Sequence, residues 1–156
     1  MCIYEFIGKR DGAVSSAIRD SRLSAINQMF GSVFWQQKFG FADARQRLVQ
    51  TETLSHDWDT YGAEPPNDTS RRVAGELLRI LERESLVPTR LTPSAEGGIA
   101  LSFVEGSYRA IIEIYNTGEA AAGTYFEREE PTVWELEPTE DRLLDAIHQI
   151  RVHLAA

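Results

Sequence analysis

GGIALSFVEGSYRAIIEIYNTGEAAAGTYFE, residues 97–127, alternates apolar and polar positions over three successive segments. Such alternation with a period of two is typical of β-strands that bury one face. The segments are joined at 105–107 and at 116–118, and connections this short allow only antiparallel pairing of neighbouring strands. The sequence therefore predicts an antiparallel β-meander.

Two flanking segments extend this meander. RLTPS, residues 90–94, precedes it, and PTVWELE, residues 131–137, follows it. Both have the composition of strands bounded by turn residues. The expected sheet has four to five strands.

Helical periodicity is found on both sides of the meander. In PPNDTSRRVAGELLRILERE, residues 65–84, apolar side chains recur at helical spacing after an Asn-Asp cap, and a final helix is expected after Thr139. Two earlier helices are predicted at about 15–30 and 34–54, the second interrupted at Gly40. The order predicts an α+β fold with N-terminal helices and a C-terminal helix packed on one sheet face.

The length of 156 residues suits a single domain, residues 1–156, because a chain of this size buries about two-thirds of its unfolded surface. Residues 1–40 are more basic and less regular, and are expected to form an N-terminal helical arm. No apolar run approaches the ~18–20 residues of a membrane span, and the first residues lack the pattern of a signal peptide. The lone Cys2 excludes an internal disulfide. A cytoplasmic protein is predicted.

Charge is distributed unevenly along the chain. Residues 1–50 carry seven Lys/Arg and four Asp/Glu, a net +3, whereas residues 51–156 carry nine against twenty, a net −11. Nucleic-acid binding is driven by cations that displace counterions from phosphates, so direct nucleic-acid binding is not expected. The acidic body instead favours a protein partner with a basic surface.

The segment HDWDTYGAEPPND, residues 56–68, concentrates side chains that could carry chemistry. One interpretation takes His56, Asp57 and Asp59 as ligands of a divalent metal ion, because carboxylate and imidazole groups are suitable donors. Together with Glu64, they would form the active site of a small metal-dependent hydrolase. No His or acidic motif elsewhere completes the ligand shell, so no metal ion is assigned and the hydrolase remains the alternative hypothesis.

A second interpretation makes the same segment a folded hinge. Tryptophan and tyrosine rings anchor such a hinge while their polar ends stay hydrogen-bonded, an aspartate accepts backbone N–H groups, and a glycine permits a positive φ. The residue before a proline is extended, which leads the chain into the next helix. In this interpretation, the exposed part of the Trp58 or Tyr61 ring could still bind a partner. The structural motif consists of Trp58, Asp59, Tyr61, Gly62 and Pro65.

A family resemblance appears at WDTYGAEPP, residues 58–66, and PSAEGGIALSF, residues 93–103. The two segments resemble the Trp-Asp-Gly-Tyr-Gly-Ala-x-x-Pro signature and the following glycine-led strand of small uncharacterised bacterial proteins, often met in mobile or accessory gene regions. The resemblance covers about residues 50–137, and this chain has Thr60 where the signature has glycine. It implies a bacterial cytosolic α+β protein and assigns no catalytic residue.

Other segments offer no pattern for a reaction. Ser102, Ser107 and Thr124 lack a nearby His-Asp pair, and the glycine pair at 97–98 is not followed by a helix that would bind phosphate. No catalytic residue and no cofactor are therefore assigned.

Two segments are candidate partner-binding surfaces. The aromatic segment, whose rings either cap the core or anchor a partner, consists of Phe34, Trp35, Phe39 and Phe41. The acidic strip would steer the chain onto a basic surface, and between residues 127 and 141 it holds a single arginine. Its carboxylates are Glu127, Glu129, Glu130, Glu135, Glu137, Glu140 and Asp141.

These patterns favour a non-enzymatic interaction protein that acts by occlusion of a partner, as an inhibitor, an antitoxin-like protein or a regulatory subunit. In the sharpest form of this hypothesis, spaced carboxylates mimic a nucleic acid and occupy Arg/Lys sites meant for phosphates. A homodimer through the aromatic segment is expected if the core leaves those rings exposed.

Overall fold

A five-stranded antiparallel sheet, in which each strand pairs with the next along the chain, forms the centre of the computed structural model. The structure describes residues 37–156, which form one compact unit. The predicted α+β meander is confirmed. The strands are β1 Arg90–Ser94, β2 Gly98–Glu105, β3 Tyr108–Tyr115, β4 Ala120–Phe126 and β5 Thr132–Leu136.

Several predictions concern residues outside the described part. The helix at about 15–30 and most of the N-terminal arm fall there, as do Phe34 and Trp35 of the aromatic segment.

The register of the sheet collects apolar side chains on one face. Leu91 pairs with Leu101, and Leu101 pairs in turn with Ile112, so that one buried row crosses three strands. Burying each large aliphatic side chain stabilises the fold by about 1.5–3 kcal/mol. This inner face is the floor of the core. Its next row consists of Ile99, Ile114, Ala120 and Leu136.

Helices cover the inner face. They are α1 at 37–50, extended by one 3-10 turn at Thr51–Thr53, α2 at Asp68–Arg83 and α3 at Glu140–Leu154. Helix α2 contacts β2 and β3, and α3 contacts β3, β4 and β5, so the two helices lie side by side on one face of the sheet. No helix within residues 37–156 has the length and apolarity needed to cross a membrane.

At Gly40, helix α1 lies close to Val87, in the segment that follows α2. The prediction that Gly40 interrupts this helix is wrong, because the helix runs through residue 40. A Cβ atom at Gly40 would lie 2.3 Å from Cγ1 of Val87, so the absence of a side chain permits the contact. Phe41 and Ala44, on the same helix, join the core.

Candidate interaction site

The loop that precedes α2 is held in shape by its own aspartates. Asp59 Oδ1 accepts hydrogen bonds from the backbone N–H groups of Tyr61, at 2.9 Å, and Ala63, at 3.1 Å. Asp57 Oδ1 accepts the N–H of Gly62 at 2.7 Å, and the N–H of Asp57 donates to the carbonyl of Ala63 at 3.0 Å. These bonds close the loop from within, so its shape does not depend on a partner.

The same hydrogen bonds keep Asp59 ionised. The N–H groups of Tyr61 and Ala63 hold the pKa of the Asp59 carboxyl below its usual range, because they stabilise the charged form. The stabilising effect of Asp59 is therefore present above the ordinary carboxyl pKa and is lost as the pH falls through the lowered value. At neutral pH the loop carries a negative charge beside Tyr61.

The backbone of this loop, residues 57–63 and called the Tyr61 loop below, is strained. Asp57, Thr60 and Gly62 have φ angles of 63°, 67° and 88°, all in the left-handed region. For a residue other than glycine this conformation costs of order 1–3 kcal/mol, and such strain persists only where the surrounding structure imposes it. The strained turn leaves Tyr61 at its tip, 91% exposed.

Trp58 anchors the base of the Tyr61 loop. Its ring is half-buried, and its indole N–H donates to the carbonyl of Glu64 at 3.4 Å. Ala63 is buried at the other end of the loop. The two aromatic side chains of the segment therefore differ: Trp58 is half-buried and hydrogen-bonded to the chain, and Tyr61 projects into solvent.

Asn116, in the turn between β3 and β4, fastens the chain after the loop to the sheet. Its Oδ1 accepts the N–H of Asn67 at 2.9 Å and lies 2.9 Å from Ser70 Oγ, while its Nδ2 donates to the carbonyl of Pro65 at 2.9 Å. The Asn67 side chain donates in return to the backbone carbonyl of Asn116. One side chain thus joins the segment after the loop, the start of α2 and the sheet.

The side chains of the metal-site interpretation do not converge on one point. His56 Nε2 lies 3.4 Å from Glu64 Oε1, whereas Asp57 and Asp59 point back at the backbone of their own loop. Among residues 37–156, no three His, Cys, Asp or Glu side chains form a group that could hold a metal ion. The segment instead acts as a support for Tyr61.

A cleft of about 1030 Å³ opens between α2, α3 and the ends of β4 and β5. Its floor is apolar, with Val73, Leu136 and Ala146 buried and Trp134 half-buried. Concave sites with an apolar floor and a few polar groups at the rim are typical of binding pockets. This site is called the Trp134 cleft below.

Charged side chains surround the Trp134 cleft. Arg72 Nη1 lies 3.2 Å from Glu76 Oε1, and Arg142 Nη1 lies 3.7 Å from Asp145 Oδ2. Each arginine neutralises one carboxylate, so the rim keeps a net negative charge. The rim carboxylates for which residues 37–156 supply no ion pair are Glu119 and Glu137, since Glu135 alternates to the other face of β5.

The acidic strip is divided by β5. Its first carboxylates lie in the connection 127–130 before the strand, whereas Glu137 follows the strand. A strand of five residues spans about 17 Å, which separates the two groups. Glu135 and Glu137 line the Trp134 cleft, and Glu140 pairs with Arg83 at 2.7 Å. The strip is therefore not one continuous surface.

The aromatic segment does not form one surface either. Phe41 is 2% exposed and belongs to the core, so its ring cannot take part in the predicted contact with a partner. Phe39, two residues earlier on the same helix, is 67% exposed.

Asn116 and Trp134 belong to the site, although the sequence patterns did not indicate them. Asn116 lies in an Asn-Thr-Gly turn. This pattern predicts a hairpin but does not indicate contacts with the rest of the chain. Trp134 follows the alternation of a strand. Its charged neighbours Glu135 and Glu137 fit that alternation, so the local sequence does not distinguish Trp134 from a core position.

Comparison with known proteins supplies no assignment. No family model matches the chain, and no match is found among curated proteins or solved structures. The function therefore has to be inferred from the Tyr61 loop and the Trp134 cleft themselves.

Proposed function

We propose that this chain is a non-enzymatic, cytoplasmic interaction protein that binds and occludes a protein partner with a basic surface, as an inhibitor, an antitoxin-like protein or a regulatory subunit. The observation that carries the proposal is the Tyr61 loop, in which a strained backbone holds a tyrosine 91% exposed. Strain of this kind is concentrated at functional sites, and exposed loops on a rigid scaffold commonly carry binding residues.

The chemistry of Tyr61 suits an interface. Tyrosine is among the residues that contribute most to binding when they are buried at the centre of an interface. The internal hydrogen bonds of the loop fix the backbone of Tyr61 before binding, so less conformational entropy is lost when the complex forms.

Charge favours a basic partner. Residues 37–156 carry twelve Lys/Arg and twenty-one Asp/Glu, a net charge of −9. Asp57 and Asp59 place two carboxylates against the backbone N–H groups of Gly62 and Tyr61. Complementary potentials accelerate association and select against acidic partners. A basic site that normally holds a polyanion is the surface that this combination fits best.

The Tyr61→Ala variant is expected to lose partner binding without losing stability, because the ring makes little contact with its own chain. An anchor of this kind contributes about 2 kcal/mol or more, which weakens binding about thirtyfold. The measurement is affinity capture from the native host with the intact chain, followed by calorimetric titration of the captured partner with each variant.

The matched control is Val152→Ala, which removes another exposed apolar side chain, 59% exposed, from the end of α3. It should bind like the intact chain. Equal affinities of the intact chain and Tyr61→Ala would show that the loop is not the binding element, and capture of no partner would refute the interaction proposal.

A further inference from the structure

We propose that the Trp134 cleft binds a basic peptide segment of the partner, with an arginine or lysine side chain against the Trp134 ring. This inference rests on the proposed function and names the part of the partner that the cleft recognises. It is carried by the shape of the cleft, its aromatic floor and the excess of carboxylates on its rim.

The shape of the cleft suits an extended segment. About 1030 Å³ is more than one side chain fills, and the walls come from two helices and two strands of a rigid core. Val73, Leu136 and Ala146 supply apolar contact for the aliphatic part of a long side chain. Lysine and arginine have such aliphatic stems, which pack on apolar surfaces while the charged end remains hydrated.

Trp134 supplies the specific contact. Its ring is half-buried in the floor, so one part is fixed by packing and another part remains accessible from the cleft. Tryptophan is the aromatic residue that attracts a cation most strongly over its face. An arginine or lysine inserted into the cleft would reach this ring.

The rim selects a cation over an anion. Arg72 and Arg142 are each paired with a carboxylate of their own helix. A basic segment would meet the remaining carboxylates, whereas an acidic one would be repelled by them. These remaining carboxylates are Glu119 and Glu137.

A polypeptide fits better than a small cation because the chain that follows the Tyr61 loop is bonded to the turn that lines the cleft. Asn116 holds the chain that follows the loop, and the next turn residues, Thr117 to Glu119, line the cleft. A protein partner that receives Tyr61 can therefore extend a basic segment into the cleft within the same complex.

The test is a titration of the ¹⁵N-labelled full chain with the blocked peptide acetyl-Arg-Leu-Arg-Lys-amide, followed by NMR. The indole N–H signal of Trp134 is identified by its loss in Trp134→Phe. We expect this signal to shift saturably while the signal of Trp58 stays in place. Glu119→Gln combined with Glu137→Gln should weaken binding about tenfold.

The matched control combines Glu127→Gln with Glu129→Gln, which removes the same charge beyond the opposite end of β5. It should change the dissociation constant by less than about twofold. Equal weakening by both double variants would show unspecific charge attraction and overturn the proposal. Spermine binding as tightly as the peptide would overturn the assignment to a peptide, as would the absence of a saturable shift.

The peptide titration and the capture of a partner can fail independently of each other. Tyr61→Ala should bind the peptide as tightly as the intact chain, because the ring lies outside the cleft. If the peptide fails to bind but Tyr61→Ala still loses the captured partner, the cleft proposal fails and the proposed function stands. If the peptide binds and no partner is captured, the proposed function fails.

Discussion

The Gly98→Ala variant is expected to lose about 4 kcal/mol or more of its free energy of unfolding and to be unfolded or nearly so at 37 °C. Gly98 has a φ of 141°, and a Cβ atom at this position would lie 2.0 Å from the backbone oxygen of Ile114. Because the obstacle belongs to the backbone of β3, no side-chain movement relieves it. The clash would separate β2 from β3 where their pairing begins.

Gly106→Ala is the matched control. Gly106 also has a positive φ, 55°, but a Cβ atom there would meet nothing within 4 Å. Gly106→Ala should lower the free energy of unfolding by only about 1 kcal/mol, because alanine is less stable than glycine at a positive φ. Urea unfolding followed by circular dichroism compares the two variants. Equal urea midpoints for the two variants would show that β2 and β3 do not lie in close contact at Gly98.

The Asn116→Ala variant is expected to lose about 2–4 kcal/mol, because it removes several hydrogen bonds, each with a net value of about 0.5–1.5 kcal/mol. The lost partners are the N–H of Asn67, the carbonyl of Pro65 and the hydroxyl of the fully buried Ser70. Thermal unfolding gives the loss of stability, and hydrogen exchange of the N–H groups at the start of α2 gives its location.

Thr117→Ala controls for the turn itself. Thr117 is the exposed neighbour of Asn116, and among residues 37–156 its hydroxyl bonds only to Glu119 of the same turn. Its replacement should change stability by about 0.5 kcal/mol or less. A loss for Asn116→Ala no larger than that for Thr117→Ala would contradict the role of Asn116 as the link between the loop, α2 and the sheet.

The sheet and α2 could be predicted from the sequence because their signals are local. Alternation and short turns specify a meander, and α2 begins at Asn67, whose side chain accepts the N–H of Ser70 at 3.0 Å. The role of Gly40 was not predicted, because the residue that requires a glycine there, Val87, is distant in the sequence. A glycine inside a helix looks like an interruption until Val87 is seen against it.

The candidate site was only partly predictable for the same reason. The folded hinge was an inference from residues close in sequence, and the loop closes through contacts of two to six residues. The Trp134 cleft requires α2, α3 and the sheet to be assembled, so no single segment reveals it. The division of the acidic strip could not be predicted, because sequence distance does not show that β5 separates its two parts.

Occlusion requires that the chain blocks the basic site of its partner, and competition for that site measures it directly. The captured partner is titrated with a fluorescein-labelled heparin fragment at several fixed concentrations of the intact chain, and the apparent dissociation constant is measured by fluorescence anisotropy. If the chain occludes this site, the constant rises linearly with the concentration of the chain, and Tyr61→Ala reaches the same effect only at about thirtyfold higher concentration. A constant that stays unchanged while the chain is bound would contradict occlusion.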